Sequence, residues 1–284
     1  MSELHKYPRT RHIRGSRFQN GDHDLEAVPW EELRGKHLIV EEKMDGANAG
    51  ISFTEDGELK LQSRGHYLRG GPREKHFALL KQWASAKQEE LFCVLGSRYV
   101  MYGEWMFAKH TMFYDELPHY FMEFDILDTE DGCNEFLSTP ARGKVINGTS
   151  TTPRLDTDTI VPVKVIAEGK FDRFEDLQKL ITRSNFISDK RVPNFLDAAL
   201  KAGLLPRHGT FANKEIQEVL ATGDWDTNME GLYIKWEEDH VVKGRYKFVR
   251  ESFTSSILDQ ETHWHDRPIV QNRLKEGAYE NMLK

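Results

Sequence analysis

The nine residues Glu42-Lys43-Met44-Asp45-Gly46-Ala47-Asn48-Ala49-Gly50 constrain this chain more than any other stretch. The apolar run Leu38-Ile39-Val40 leads into them and the pair Asp45-Gly46 interrupts them, so a lysine lands where a strand gives way to a loop. That setting suits covalent catalysis with Lys43 as the nucleophile. A free lysine has a pKa of about 10.4, so at pH 7.5 only roughly one amine in 800 is neutral and able to attack. Burial beside other cations or a metal lowers that pKa and turns a lysine into a nucleophile toward phosphorus. The pattern K-x-D-G fixes only three positions and on its own marks a solvated turn, so the reading needs companions in a fixed order downstream.

Those companions are present. In order come Ser63-Arg64-Gly65, Tyr102-Gly103-Glu104, Phe121-Met122-Glu123-Phe124-Asp125-Ile126, Glu230-Gly231-Leu232-Tyr233-Ile234-Lys235 and Arg245-Tyr246-Lys247-Phe248. The series resembles the covalent nucleotidyltransferase superfamily of ATP-dependent ligases and RNA-capping enzymes, over about residues 39 to 249. Glu42 before the lysine and Asn48 two residues after Gly46 look like the RNA ligase 2-like branch; DNA ligases and capping enzymes usually carry arginine at the place of Asn48.

The bulk composition agrees with a soluble enzyme. At 284 residues and 38% apolar content the chain can bury a substantial core. No stretch approaches the roughly 18 apolar residues that cross a bilayer, and the polar opening MSELHKYPRTR predicts a cytoplasmic protein. Cys93 and Cys133 form no C-x-x-C pair, which argues for ordinary buried or half-buried thiols rather than a disulfide or zinc site. A formal charge of −7 excludes a protein that coats nucleic acid through bulk positive charge, although local contact remains open. The segment His5 to Arg17 offers Lys6, Arg9, Arg11, Arg14 and Arg17 beside Tyr7 and Phe18, suited to a strand backbone or to a solvated arm.

Residues 38 to 64 read as a β-meander, with strands Leu38 to Glu42, Ala47 to Phe53 and Leu59 to Gln62 and a turn at Asp56-Gly57. The lysine motif would then lie in a hairpin connection. Residues 73 to 92 predict one helix, Tyr99 to Met106 and Tyr120 to Leu127 central strands, and 174–183, 195–204 and 213–221 helices. Two closing strands, 231–236 and 241–249, are joined by Glu237-Glu238-Asp239. The expectation is one α+β domain, antiparallel sheets flanked by helices, and the resemblance implies the ATP-grasp-like nucleotidyltransferase domain of ligases. It would span residues 1–250 with a helical insertion at about 128–228. A tail of 251–284 is too short for an OB-fold, and its Thr262-His263-Trp264-His265-Asp266 reads as a packed tail sooner than a metal site.

What the resemblance implies for the residues is specific. Lys43 attacks the α-phosphorus of ATP and forms lysyl-AMP; Glu42 contacts adenine, although strand alternation would turn it away from Lys43 unless the strand ends there. Arg64 contacts ribose or the phosphate end of the substrate strand, Glu104 accepts from a ribose hydroxyl, and Phe124 stacks on adenine, with Phe121 as the alternative. Glu230, grouped with Asp45, binds Mg2+ or Mn2+. Lys235 and Lys247 hold the α-phosphate, with Arg245 where a lysine is more usual. Asn48 completes the nucleotide-binding set. The expected substrate is RNA with 5′-phosphate and 3′-hydroxyl ends, and an end-healing kinase is a possible partner. The rival readings are a DNA ligase, a capping guanylyltransferase, and a nucleotide-binding module without chemistry.

Overall fold

Period-2 alternation sets the architecture. The computed structural model describes residues 4–18, 26–148, 160–204, 214–222, 226–253 and 268–278. Its strands are β1 (Arg11–His12), β2 (Leu38–Glu42), β3 (Ala47–Phe53), β4 (Leu59–Ser63), β5 (Tyr99–Trp105), β6 (Phe121–Asp128), β7 (Glu135–Phe136), β8 (Val161–Pro162), β9 (Val165–Gly169), β10 (Gly231–Glu238) and β11 (Val241–Val249). They form two sheets. The first runs β1-β11-β10-β2-β9; the second runs β4-β3-β5-β6-β7, with β8 also on β6. Apart from β1 on β11 and β8 on β6, the pairings are antiparallel. With its helices, the chain is α+β as expected.

In the first sheet Leu38, Val40, Leu232, Ile234, Tyr246 and Phe248 share one face and pack with Ile13, Val28, Leu33 and Met229. The intervening residues point to the second sheet, so Glu41, Tyr233 and Lys247 stand in one row and Lys235 and Arg245 in the next. The β10–β11 hairpin closes two residues later than the sequence predicts, because Asp239 and His240 adopt φ of +50° and +69° and form the tight turn there.

The expected meander holds only for β3 and β4. Strands β2 and β3 belong to different sheets, so Lys43 to Gly46 form a crossing between sheets, not a hairpin. The crossing is fastened by Asp45, whose Oδ2 accepts from the backbone N–H of Thr111 at 2.7 Å and of Met112 at 2.6 Å. It also runs too close to β5 for any side chain: a Cβ on Gly46 would lie 2.8 Å from the Trp105 carbonyl oxygen. The single helix expected over 73–92 is a 3₁₀ turn (Pro72–Phe77) followed by α1 (Ala78–Ala86) and α2 (Gln88–Leu95). Their buried residues, Leu80, Trp83 and Ala84 then Leu91, Val94 and Leu95, would place Lys87 on the same stripe of an unbroken helix, and the break falls at Lys87.

Residues 128–228 are not purely helical. Besides α3 (Thr139–Asn147), α4 (Phe174–Gln178), α5 (Arg191–Lys201) and α6 (Lys214–Thr222), they supply β7 and β8 to the second sheet and β9 to the edge of the first. Cys93 and Cys133 are exposed, not buried as expected. No described helix is long and apolar enough to cross a membrane. The His263-Trp264-His265 stretch lies outside the described residues.

Part of the expected tail is core. Asn272 is fully buried, its Oδ1 accepts from Tyr114 N–H at 3.0 Å and its Nδ2 donates to the Met106 carbonyl at 2.7 Å. Asn272→Ala leaves two buried backbone groups without partners and should destabilise the protein by roughly 2–4 kcal/mol in urea unfolding. A change below roughly 0.5 kcal/mol, the range of ordinary surface substitutions, would mean that this segment does not belong to the core.

Candidate active site

The site is built where β2 ends beside the start of β10. Lys43 keeps one last ladder bond, its N–H to the Gly231 carbonyl at 3.0 Å, which fixes the side chain beside Glu230. The Lys43 Nζ lies 2.8 Å from each Glu230 carboxylate oxygen. Gly231 is obligatory for this approach, since a Cβ there would lie 1.9 Å from the Phe248 carbonyl oxygen. Glu230 thus stands one residue before β10 begins, which resolves the parity conflict between Glu230 and Lys235 that an unbroken strand would impose.

Glu104 approaches from the second sheet and accepts from Gly46 N–H at 3.1 Å. Burial pushes both Glu104 and Glu230 up to about 7, against the pull of Lys43 on each. Burial also pushes Lys43 down, but Glu230, Glu104 and Asp45 together outweigh it and hold the amine above its ordinary value. The depressed lysine expected from the sequence is therefore not created by the chain's own groups. Three carboxylates keep it an ammonium until other cations engage them.

A cavity of about 170 Å³ opens beside this pair, between the sheets. Seven expected residues line it: Glu42, Lys43, Asn48, Arg64, Glu104, Phe124 and Lys247. Phe121 does not; it stacks on Trp83 in the core with ring centroids 5.6 Å apart. Glu42 follows strand parity, and its carboxylate is drawn toward Asn185, whose N–H lies 3.3 Å from Oε2. Asp45, expected beside Glu230 as a metal ligand, is absent from the lining because its Oδ2 is committed to Thr111 and Met112. The buried carboxylates of Glu230 and Glu104 are oxygen donors of the kind a divalent cation takes. Among the described residues no cluster of three or more metal-binding side chains exists, so such an ion would complete its shell from substrate phosphate and water.

Two expected phosphate contacts lie elsewhere. Lys235 is fully buried below the cavity, donating to Glu41 Oε1 and the Phe124 carbonyl, both at 2.9 Å, with Asp125 at 3.5 Å. Arg245 lies over the Phe136 ring at 3.7 Å and 4.0 Å from Asp125. Arg142 on α3 completes the group, 3.0 Å from Glu41 and 3.5 Å from Glu123. Three acids thus face three bases at the floor of the cavity, where Glu41 also reaches the lining. Lys235 and Arg245 belong to a charge-balanced foundation and not to the cavity wall.

Sequence reasoning missed six lining residues, Tyr7, Thr10, Glu41, Met44, Val163 and Tyr233. Tyr7 and Tyr233 flank Phe124 edge-on, with centroids 5.3 and 5.8 Å from it, and both hydroxyls donate to Asp125 Oδ2, at 2.6 and 2.8 Å. They hold the Phe124 ring in place. Tyr233 was within reach of parity, lying two residues before Lys235 and opposite Lys247. Tyr7 stood out only as an aromatic among the N-terminal cations, since it is far from every motif.

The two lysines can be told apart. Lys235→Met leaves buried carboxylates unpaired and should cost roughly 3–5 kcal/mol of stability. Lys247→Met should melt close to the parent yet lose about a hundredfold in nucleotide chemistry. A Lys235→Met protein that melts like the parent while losing chemistry would place Lys235 on the phosphate after all.

With this geometry in hand, the chain can be set beside known proteins. The sequence profile of the RNA ligase family matches residues 36–249, a span containing every residue from Lys43 to Lys247 discussed above. Among solved structures, a Naegleria gruberi RNA ligase variant without nucleotide is 17% identical with a TM-score of 0.46, and a variant with ATP and Mn is 17% identical with a TM-score of 0.45. Each match covers 81% of this chain and 54% of the other, so the chain spans about half the length of those ligases. No curated protein matches it. Because the family profile takes in well over half of the sequence and its motif residues converge on one cavity, the chain belongs to the RNA ligase family.

Proposed function

We propose that the protein is an ATP-dependent, AMP-forming RNA ligase that seals 5′-phosphate and 3′-hydroxyl ends. The observation that carries this reading is the Lys43 amine at the cavity wall, held between the oxygens of Glu230 and accompanied by Phe124, Glu104, Arg64 and Lys247 around one space. Phe124, fixed between two tyrosines, offers a flat face for adenine. Glu104, with one oxygen on Gly46, offers the other to a ribose hydroxyl. Lys247, in the same row as Tyr233, faces the triphosphate charge.

The reaction begins when the Lys43 nitrogen attacks the α-phosphorus; the P–N bond forms and the P–O bond to pyrophosphate breaks. The ammonium must first lose its proton, and Glu230 is what opposes that loss most strongly. A divalent cation at Glu230 and Glu104 would weaken that opposition and stabilise the departing pyrophosphate. The AMP then passes to an RNA 5′-phosphate, whose oxygen displaces Lys43, and a 3′-hydroxyl finally displaces AMP. An end-healing kinase would supply the 5′-phosphate in a cytoplasmic repair reaction.

Labelled ATP with magnesium or manganese should give an acid-labile, alkali-stable protein adduct, absent from Lys43→Ala. Labelled GTP should give little. An alanine variant that labels as strongly as the parent would falsify the assignment of the nucleophile. Matched nicks should be sealed better with ribose at the 3′-hydroxyl side, and equal joining of all-deoxyribose nicks would identify a DNA ligase.

A further inference from the structure

If the ligase reading is right, a strand must bring its 5′-phosphate to the phosphorus on Lys43 through the cavity mouth, where Arg64 stands. The fold gathers other cations at that mouth. Beyond β4, Ser63 N–H donates to the His66 carbonyl at 2.9 Å and Leu68 N–H to the Leu61 carbonyl at 2.8 Å, so Arg64 and Gly65 form a turn tip and the chain doubles back along β4. That return strand carries His66 and Arg69, the latter over the Tyr67 ring.

The N-terminal segment reaches the same edge. The His5 carbonyl accepts from Gln62 Nε2 at 2.8 Å and from the Tyr102 hydroxyl at 2.7 Å. Gly50 makes room for that clasp, since a Cβ there would lie 2.8 Å from Gln62 Cγ. Two residues on, Tyr7 is in the cavity wall. Lys6 is therefore held between an anchor on β4 and the cavity itself, with its side chain exposed.

Lys6, Arg64, His66 and Arg69 are all exposed, and among the described residues none of them takes part in an ion pair. Neighbouring cations differ: Lys60 pairs with Glu58, Lys81 with Glu74, Lys87 with Glu90 and Arg98 with Asp128. In a chain with 46 acidic and 39 basic residues, the cations of Lys6, Arg64 and Arg69 on the rim of this cavity, with the His66 imidazole as a hydrogen-bonding neighbour, create a local field that the net charge opposes elsewhere. We propose that Lys6, Arg64, His66 and Arg69 form a track for the backbone phosphates of the first nucleotides in the 5′-phosphorylated RNA strand. The track delivers the terminal phosphate past Arg64 to Lys43.

The test separates the chemical steps. In the double variant Lys6→Ala, Arg69→Ala, lysyl-AMP formation without RNA should stay within about twofold of the parent. Transfer of AMP from the preloaded protein to a short 5′-phosphorylated oligoribonucleotide below saturation should fall about tenfold, and the salt dependence of RNA affinity should become shallower by roughly 0.7 for each contact removed. Unchanged affinity and unchanged transfer would overturn the track, as would equal losses in both steps, which indicate a damaged fold. Oligonucleotide affinity measured by anisotropy reads the track by itself, so a parent that forms no lysyl-AMP would sink the ligase reading while the affinities still decide this one.

Discussion

The contact between the Lys43 ammonium and the Glu230 carboxylate organises the rest of the site. It joins two adjacent strands at the point where one ends and the other begins, and it needs a glycine as the first residue of β10 so that the backbones can close. Glu230 is fully buried and Lys43 half-buried, so each carries a desolvation cost that the other helps to offset. The same contact positions Lys43 and favours its ammonium form, so in the reaction proposed above the position must be kept while the proton is lost.

At the floor of the cavity, Glu41, Glu123 and Asp125 face the buried Arg142 and Lys235 and the half-buried Arg245 between the sheets. This array does work that apolar packing would not. Lys235 grips the Phe124 carbonyl and Asp125 holds the two tyrosines that flank the Phe124 ring, so backbone and side chain of Phe124 are fixed from below. Removing one charge would leave an uncompensated partner.

Much of this was legible in the sequence. The resemblance led to Lys247 and Phe124, and both line the cavity, while β2 ends at Glu42, which lets Glu42 and Lys43 reach the same space. The order of the motifs led to seven of the lining residues. What stayed hidden depends on long-range contacts. The crossing at Lys43–Gly46 looks locally like a hairpin, and residues far along the chain, Glu104, Thr111, Met112 and Tyr114, fasten it into a bridge between sheets. Lys235 and Arg245 have the right parity for the cavity, yet acidic partners from β2 and β6 draw them below it. Tyr7 enters the wall because Asp125 and Tyr233 accept it, and no local pattern announces that. The role of Asn272 was invisible for the same reason.

The central claim is that Glu230, ahead of Glu104 and Asp45, keeps Lys43 protonated before nucleotide arrives. Nuclear magnetic resonance of 13Cε-labelled lysine, with the Lys43 signal assigned by its loss in Lys43→Arg, measures this directly. The free protein should show Lys43 titrating above an ordinary lysine, and Glu230→Gln should move it downward, because burial then acts with less opposition. A Lys43 that already titrates well below an ordinary lysine in the free protein, or one that Glu230→Gln leaves unmoved, would contradict the account.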